Sequence, residues 1–263
     1  MKADIFFFSA TGTTKKIAQA IANGLHCEAV WHDLTLPSAR NAAPVSEGDI
    51  VLLAAPVYGE RIPGFVMSYL KGLKGRGRPL IGISVYGNMG FGISLEQYAS
   101  FAAGNDFILI AAGAFVAQHT YTDKFSPVGL GRPNEQDLSE AEIFGKRVRE
   151  KLDLPRRTLI VPPKSNLPKF LANTPDGTVR VVIRAPKVDR TLCNSCGACT
   201  KRCPLGAIDP SSLDIDERKC LRCMACVQIC SQNARAGEFQ TRVLKSIFGK
   251  LGKKPAPNSI FID

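Results

Sequence analysis

The sequence has little that would direct it into or across a membrane. Residues Met1 to Gly12 carry one leading lysine, an aspartate at position 4 and only a brief apolar run, which is unlike a signal peptide. The longest later apolar run, Phe107 to Ala117, is too short to cross a bilayer. These absences argue against a membrane span and predict a soluble protein of the cytoplasm, a reducing compartment in which thiols stay free.

Nucleotide-binding motifs and histidine clusters are absent as well. The polar loop after the first strand-like run lacks Gly-Lys-[Ser/Thr], which excludes a nucleoside-triphosphate P-loop. No Gly-x-Gly-x-x-Gly follows any strand-like run, so we find no dedicated nicotinamide site. The three histidines, His26, His32 and His119, have no evident metal partners. We therefore predict no catalytic residue.

Cysteine, by contrast, is abundant and regularly spaced. Eight of the nine cysteines form two copies of Cys-x2-Cys-x2-Cys-x3-Cys between Cys193 and Cys230. In the bacterial pattern for two 4Fe-4S clusters, the fourth cysteine of each motif serves the other cluster. The predicted ligands are Cys193, Cys196, Cys199 and Cys230 for one cluster, and Cys220, Cys223, Cys226 and Cys203 for the other. A zinc site would leave the third and fourth cysteines of each motif redundant, and a disulfide framework conflicts with a reducing compartment.

The first 150 residues alternate strand-like and helix-like patterns. A Ser139/Glu142 capping box predicts the start of the last helix of this region. The alternation predicts a parallel sheet with helices on both faces, which binds ligands at the carboxyl ends of its strands. The predicted strands are Ile5 to Phe8, Ile50 to Ala55, Leu80 to Val85 and Phe107 to Phe115, with a weaker one at Glu28 to Trp31.

Three loops would gather at that edge of the sheet. The first predicted strand ends in Ser9-Ala10-Thr11-Gly12-Thr13-Thr14, and a helical pattern follows at once. Hydroxyl groups and the first N–H groups of a helix then face one point, which suits a phosphate. The next two strands end in Pro56-Val57-Tyr58-Gly59 and in Tyr86-Gly87-Asn88.

Together the loops resemble the FMN site of flavodoxin, and the double cysteine motif resembles a bacterial-type ferredoxin. The whole chain is similar to the single-chain flavodoxin-ferredoxin fusions of anaerobes and archaea. That resemblance implies a flavodoxin-like α/β fold with a doubly wound parallel five-stranded sheet, followed by a small α+β ferredoxin domain. It implies FMN and two [4Fe-4S] clusters as cofactors. The implied FMN contacts are Ser9, Thr11, Gly12, Thr13 and Thr14 at the phosphate, and Pro56, Val57, Tyr58, Gly59, Tyr86, Gly87 and Asn88 at the ring.

The sequence differs from the usual flavodoxin pattern at the phosphate loop and in the position of its tryptophan. Thr13 stands where flavodoxins usually have an asparagine, so one side-chain contact to the phosphate changes. The single tryptophan, Trp31, lies outside the loops, so a tyrosine would have to stack on the flavin if any aromatic residue does. His119, which follows the last predicted strand, is the histidine that we expect nearest to the flavin.

The chain divides into four predicted segments. Residues 1–152 form the FMN domain and residues 184–236 the ferredoxin domain. Residues 153–183 form a linker rich in proline and basic residues. Residues 237–263 form a basic amphipathic tail, for which docking on the protein itself is favoured over a membrane surface. The linker residues that support this division are Pro155, Arg156, Arg157, Pro162, Pro163, Lys164 and Pro168.

The formal charge of the chain is +11 at pH 7. Two clusters and FMN would lower this charge to roughly +5. A modestly basic surface suits solubility or the steering of an acidic partner, and no nucleic-acid-binding motif accompanies it. We therefore predict protein partners and no nucleic acid.

The combination of cofactors predicts electron transfer. FMN exchanges electrons singly or in pairs, whereas each cluster passes one at a time. We expect a low-potential carrier or adaptor between other redox proteins, such as ferredoxin- or flavodoxin-dependent enzymes. The alternative is a flavin-dependent reductase of a small-molecule acceptor, fed with electrons through the ferredoxin domain. A redox sensor that binds nucleic acid is disfavoured because the DNA-binding element is missing.

Overall fold

The fold is built around a six-stranded, mostly parallel sheet. The computed structural model describes residues 1–122, 127–155, 157–161, 178–252 and 254–262. The strands lie in the order β2-β1-β3-β4-β5-β6, with the first five parallel and β6 antiparallel to β5. They are β1 (Lys2–Phe7), β2 (Glu28–Asp33), β3 (Ile50–Pro56), β4 (Arg78–Tyr86), β5 (Phe107–Val116) and β6 (Ser259–Ile262). The predicted doubly wound α/β fold is confirmed.

Helices cover both faces of this sheet. Helices α1 (Thr13–Leu25) and α4 (Glu135–Lys151) pack on one face, and α2 (Gly64–Leu70) and α3 (Ser94–Gly104) pack on the other. Strands β1, β3, β4 and β5 are buried almost throughout, as expected of a parallel sheet covered on both sides. A short 3-10 helix (Pro37–Arg40) follows β2.

Helix α4 begins earlier than predicted. Asn134 caps it: the Asn134 side chain accepts from the Asp137 amide (3.0 Å), and the Asp137 carboxylate accepts from the Asn134 amide (2.9 Å). The prediction that Ser139 and Glu142 form the capping box is wrong. Glu142 instead pairs with Lys146 one turn later (2.8 Å), inside the helix.

The sixth strand was not predicted. Ser259–Ile262 pairs antiparallel with Ala111–Ala114 and covers the edge of β5. Leu159 of the linker donates its amide to the Leu109 carbonyl (2.7 Å) just beside this pairing. A covered edge is protected from pairing with other chains.

The described residues of the second half contain little regular structure. They form helices α5 (Ala198–Lys201), α6 (Ala225–Gln228) and α7 (Arg242–Leu251), with a 3-10 turn at Thr178–Val181. Isolated bridges join Val188 to Arg235 and Ile208 to Ile215. The buried Arg235 side chain donates to the Pro186 carbonyl (2.9 Å) and to the Leu213 carbonyl. Arg156, Pro162, Pro163, Lys164 and Pro168 of the predicted linker lie outside the described residues.

Candidate cofactor sites

The first loop leaves the amino end of α1 without a carboxylate. Gly12 is the N-cap residue, with φ of 90° and no side-chain capping bond, and the first turn contains no acidic residue. A positive φ of this kind favours glycine. The Ser9 hydroxyl accepts the Lys15 amide (3.1 Å), and the Ser9 amide donates to the Thr35 hydroxyl (3.1 Å). The positive end of the helix dipole and the hydroxyl groups beside it suit an anion such as a phosphate.

The second loop turns sharply after β3 and presents Tyr58. The Tyr58 amide donates to the Arg61 carbonyl (2.9 Å), while the Tyr58 ring meets Phe8 edge-on at 6.3 Å between centroids. The Val57 amide donates to the Val85 carbonyl (2.8 Å), which ties this loop to the end of β4. Burial, with smaller contributions from Cys223 and Tyr121, raises the pKa of Tyr58 well above its usual value.

The third loop holds the C-terminal segment 252–258. The Asn88 amide group donates to the Gly252 and Lys254 carbonyls (2.9 Å each), and its oxygen accepts from the Ala256 amide (2.7 Å). The Tyr86 hydroxyl donates to the Pro257 carbonyl (2.8 Å). Both donor hydrogens and the oxygen of the Asn88 side chain are therefore engaged by residues 252–256.

The chain after β5 also holds the C-terminal segment in place. The Arg132 guanidinium donates to the Ala256 carbonyl (2.7 Å) and pairs with Asp137. The Asn258 side chain bridges Asp137 (3.0 Å) and Glu140 (2.6 Å) and accepts the Val116 amide (2.8 Å). Together with the bonds from Tyr86 and Asn88, these contacts fix the C-terminal segment across the carboxyl ends of β4 and β5.

Gly87 lies against His119. A Cβ atom at Gly87 would sit 2.4 Å from the His119 ring, so the close approach requires glycine. The His119 Nδ1 atom accepts the Tyr121 amide (3.2 Å), which places the proton of the neutral ring on Nε2. Burial lowers the pKa of His119 to about 4.

A small aromatic cluster joins this region to the second half of the chain. We define it as His119, Tyr121, Phe239 and Phe248. The Phe248 ring lies 4.7 Å from His119 and 5.1 Å from Phe239, centroid to centroid. Burial and the nearby Cys223 and Cys220 raise the pKa of Tyr121 far above its usual value. The aromatic cluster therefore contacts the third loop through His119, while Tyr121 lies near Cys220 and Cys223 of the second cysteine motif.

The eight motif cysteines surround two separate cavities. The inner cysteine set, Cys203, Cys220, Cys223 and Cys226, lines one small cavity. The outer cysteine set, Cys193, Cys196, Cys199 and Cys230, lines the other. Each cavity thus takes three thiols from one motif and the fourth from the other, which is the predicted grouping. Among the described residues, no three Cys, His, Asp or Glu side chains converge closely enough for a single metal ion.

Backbone amides point at thiols in both sets. The Ala207 amide donates to the Cys203 sulfur (3.2 Å), and the Ala234 amide donates to the Cys230 sulfur (3.3 Å). These two bonds are equivalent, because each amide lies four residues after the last cysteine of its motif. Burial raises the pKa of Cys223 and Cys226 to about 12, so without metal these thiols keep their protons.

The inner set is packed into the sheet domain. Cys223 and Ala225 are buried in the same apolar core as α2 and α3, and Tyr58 packs against that core. The Arg40 side chain donates to the Pro204 carbonyl (2.6 Å), and its guanidinium lies over the Phe65 ring, 4.7 Å from the centroid. These contacts place the inner cavity beside the second loop.

Comparison with known proteins agrees with this geometry. A family profile described as a flavodoxin domain matches residues 5–86, and one described as a 4Fe-4S dicluster domain matches residues 185–231. The chain is a flavodoxin domain followed by a 4Fe-4S dicluster ferredoxin domain. The flavodoxin domain implies FMN, and the dicluster domain implies two 4Fe-4S clusters.

Several solved flavodoxin structures resemble a little more than half of the chain. A flavodoxin from the domain Archaea is 17% identical, with a TM-score of 0.43, and the match covers 59% of this chain and 100% of that one. A Streptococcus pneumoniae flavodoxin is 19% identical, with a TM-score of 0.41, and the match covers 57% of this chain and 99% of that one. Oxidised Flavodoxin 1 from Bacillus cereus is 14% identical, with a TM-score of 0.43, and the match covers 55% and 95%. No curated protein matches the chain.

The residues present fit these cofactors. Each cavity of the dicluster domain is lined by four thiols and by no His, Asp or Glu side chain, which fits a cubane cluster held by four thiolates. In the flavodoxin domain, β1, β3 and β4 are neighbours in the sheet, so the three predicted loops follow adjacent strand ends. The predicted ring-side residue Pro56 closes β3, and Gly59 forms its turn with φ of 58°.

Some contacts between the flavodoxin domain and the dicluster domain could not be predicted from the sequence. Arg40 and Tyr121 lie in segments without a motif, and their partners are distant in the chain. The C-terminal segment had a weak signal, because the apolar run Ile260 to Ile262 after a Pro-Asn pair is typical of a short strand. In the described part of the chain, no helix has the length and apolar character that a bilayer crossing requires.

Proposed function

We propose that this protein transfers electrons between two [4Fe-4S] clusters and FMN, and through them between partner redox proteins. The flavodoxin and dicluster domains establish an electron-transfer role at the coarser level. The observation that carries the finer proposal is the packing of Cys223 into the flavodoxin core beside Tyr58. A cysteine that shares a packed core with a flavin-loop residue brings its cluster next to the flavin.

Each cysteine set has a defined task in this proposal. The inner set holds the cluster nearer to FMN, and the outer set holds the cluster nearer to solvent. The amides of Ala207 and Ala234 donate to equivalent sulfurs of the two sets and stabilise the thiolate form. Bound iron replaces the protons that burial would otherwise keep on Cys223 and Cys226.

The three loops of the flavodoxin domain bind and orient FMN. The phosphate is held by Ser9, Thr11, Gly12, Thr13 and Thr14 at the open amino end of α1. Tyr58 flanks the ring from the second loop. Because the Asn88 side chain is engaged by Gly252, Lys254 and Ala256 and the Tyr86 hydroxyl by Pro257, the third loop acts through its backbone at Tyr86, Gly87 and Asn88. FMN accepts electrons singly or in pairs and so matches one-electron clusters to two-electron partners.

The partners in this proposal are ferredoxin- or flavodoxin-dependent enzymes. The sequence offers no nicotinamide motif, and the basic charge suits acidic redox proteins. Eight thiol ligands require a reducing compartment, which supports the cytoplasm as the location.

Anaerobic purification followed by stopped-flow spectroscopy tests the proposal. The protein should contain about eight iron and eight labile sulfide per chain. Dithionite should bleach the cluster absorbance first and the flavin absorbance afterwards. An iron-free, zinc-loaded protein would contradict the cluster assignment, and a flavin that never responds to reduced clusters would contradict the transfer.

A further inference from the structure

The two cysteine sets differ in what covers them. The flavodoxin domain covers the inner set, where Cys223 and Cys226 are buried. The outer set faces solvent, and Cys196 is the only exposed cysteine of the nine. An inference about the partner follows from this difference, and it rests on the proposed electron-transfer function.

Two exposed apolar side chains flank the outer set. Leu192 precedes Cys193 and is 50% exposed, and Ile229 precedes Cys230 and is 44% exposed. Each is therefore the chain neighbour of a cysteine that lines the outer cavity. Apolar groups around a redox centre that reaches the surface are typical of a face that a partner covers.

Two exposed lysines lie close in the chain to residues that line the outer cavity. Lys187 precedes Val188, which lines the outer cavity, and Lys201 ends α5, whose residues Ala198 and Cys199 line it too. Nearby Arg190 is paired with Asp214, and Asp189 is bonded within its own turn by Thr191. The chain as a whole is formally +11. The charge complementary to this face is negative.

We propose that the surface around Leu192, Cys196 and Ile229, the docking face, receives a one-electron carrier protein with an acidic contact surface. The bound carrier is oxidised by one electron, and the outer cluster is reduced by the same electron, without transfer of a proton or change of any bond. The electron then passes to the inner cluster. A second carrier repeats the step, so the two electrons that FMN can accept arrive singly.

The test uses a purified acidic bacterial-type ferredoxin as the carrier and the holoprotein with both clusters and FMN. Stopped-flow spectroscopy gives the second-order rate constant for reduction by the reduced carrier, and calorimetry gives the Kd of the oxidised pair. Lys187→Glu combined with Lys201→Glu should lower the rate constant about tenfold or more at low salt and weaken Kd similarly. High salt should remove most of the difference.

A comparison pair of positive charges lies beside the inner set, next to Cys220 in the chain. Arg218 and Lys219 precede Cys220 of the inner set, and their side chains are 93% and 64% exposed. Arg218→Glu combined with Lys219→Glu makes the same change in net charge, so its effect should stay within about threefold. An equal loss in both double variants would mean that only net charge matters. A larger loss of affinity and rate in this control would mean that the carrier binds beside the inner set. Either result would overturn the proposal.

The apolar part of the docking face has its own control. Leu192→Ser combined with Ile229→Ser should weaken Kd about tenfold with little change in salt dependence. Val181→Ser, at a side chain that is 72% exposed away from the cysteine motifs, should leave Kd unchanged. Self-association of the chain that these apolar variants abolish would make a second copy the occupant and would also overturn the proposal.

Reduction by dithionite separates this proposal from the proposed function. If dithionite reduces the clusters and the flavin does not follow, the relay fails, while Kd still reports on the docking face. If the flavin follows but neither docking-face variant changes Kd, the docking face fails and the relay stands.

Discussion

The two cysteine motifs have the same spacing but different surroundings. Both are Cys-x2-Cys-x2-Cys-x3-Cys, and a short helix begins within each, at Ala198 and at Ala225. The helix of the second motif is buried against the flavodoxin domain, whereas the helix of the first is half-buried. The same cysteine spacing therefore gives two cysteine sets with different neighbours, because only the second motif packs into the core of the flavodoxin domain.

The largest effect should come from removing one ligand of each set. Cys220→Ser removes a ligand of the inner cluster and should slow flavin reduction by the carrier at least about a hundredfold, because the remaining cluster lies far from FMN. Cys196→Ser should abolish reduction by the carrier while dithionite still reduces the flavin through the inner cluster. Stopped-flow traces at cluster and flavin wavelengths measure both.

Iron content serves as the control for this pair. Each variant should retain about four iron per chain, since the other set remains complete. If Cys220→Ser kept wild-type flavin reduction, the inner set would not lie on the route. A variant that loses all its iron reports only on folding of the dicluster domain.

The next largest effect is on stability and concerns the aromatic cluster, in which Phe248 of α7 packs against His119 and Phe239. Phe248 is buried against His119 and Phe239, so Phe248→Ala should destabilise the protein by about 3 kcal/mol. Its neighbour Ile247 is 47% exposed, and Ile247→Ala should cost less than about 1 kcal/mol. Anaerobic denaturant unfolding measures both. Equal losses would mean that α7 gains nothing from this contact.

The third effect concerns the C-terminal segment. Asn88→Ala removes three hydrogen bonds and leaves the buried Gly252 carbonyl without its donor, which should cost about 2 kcal/mol. Hydrogen exchange of Ser259–Ile262 should accelerate, because the segment before β6 loses its attachment. Asn105→Ala is the matched control: Asn105 is also buried, but it bonds Phe101 within α3. If both variants left exchange in β6 unchanged, the attachment would not stabilise it.

Features that depend on residues close together in the sequence could be predicted, whereas contacts between residues far apart in the sequence could not. Buried strands could be predicted because each depends on residues within one short apolar run, and the cysteine grouping was predicted from the spacing of two motifs that lie within forty residues of each other. Asn88 could not be paired with Gly252, nor Arg40 with Pro204, because 164 residues separate each pair and no periodicity relates them. The capping box of α4 was predicted wrongly for a local reason. Asn134 and Asp137 also have the residue types and spacing of a capping box, and the helix begins there, four residues before Ser139.

The smallest effect is a pH dependence from His119. Its pKa is about 4 in the folded protein, against an ordinary value near 6.5. Between these values the unfolded chain binds a proton that the folded chain does not, so stability present above pH 6.5 declines as the pH falls toward 4. His119→Phe should remove this part of the decline. Unfolding measured between pH 7.5 and 5.5 tests it, and parallel curves for both proteins would contradict the buried neutral ring.

The central claim is that the inner cysteine set, and not the outer one, carries the cluster beside FMN. A reduced cluster is paramagnetic, and its effect on the relaxation of a flavin EPR signal falls steeply with distance. Power saturation of that signal in partly reduced protein tests the claim most directly. We predict fast relaxation in the wild type and in Cys196→Ser, and slow relaxation in Cys220→Ser. Fast relaxation that survives in Cys220→Ser and disappears in Cys196→Ser would contradict the claim.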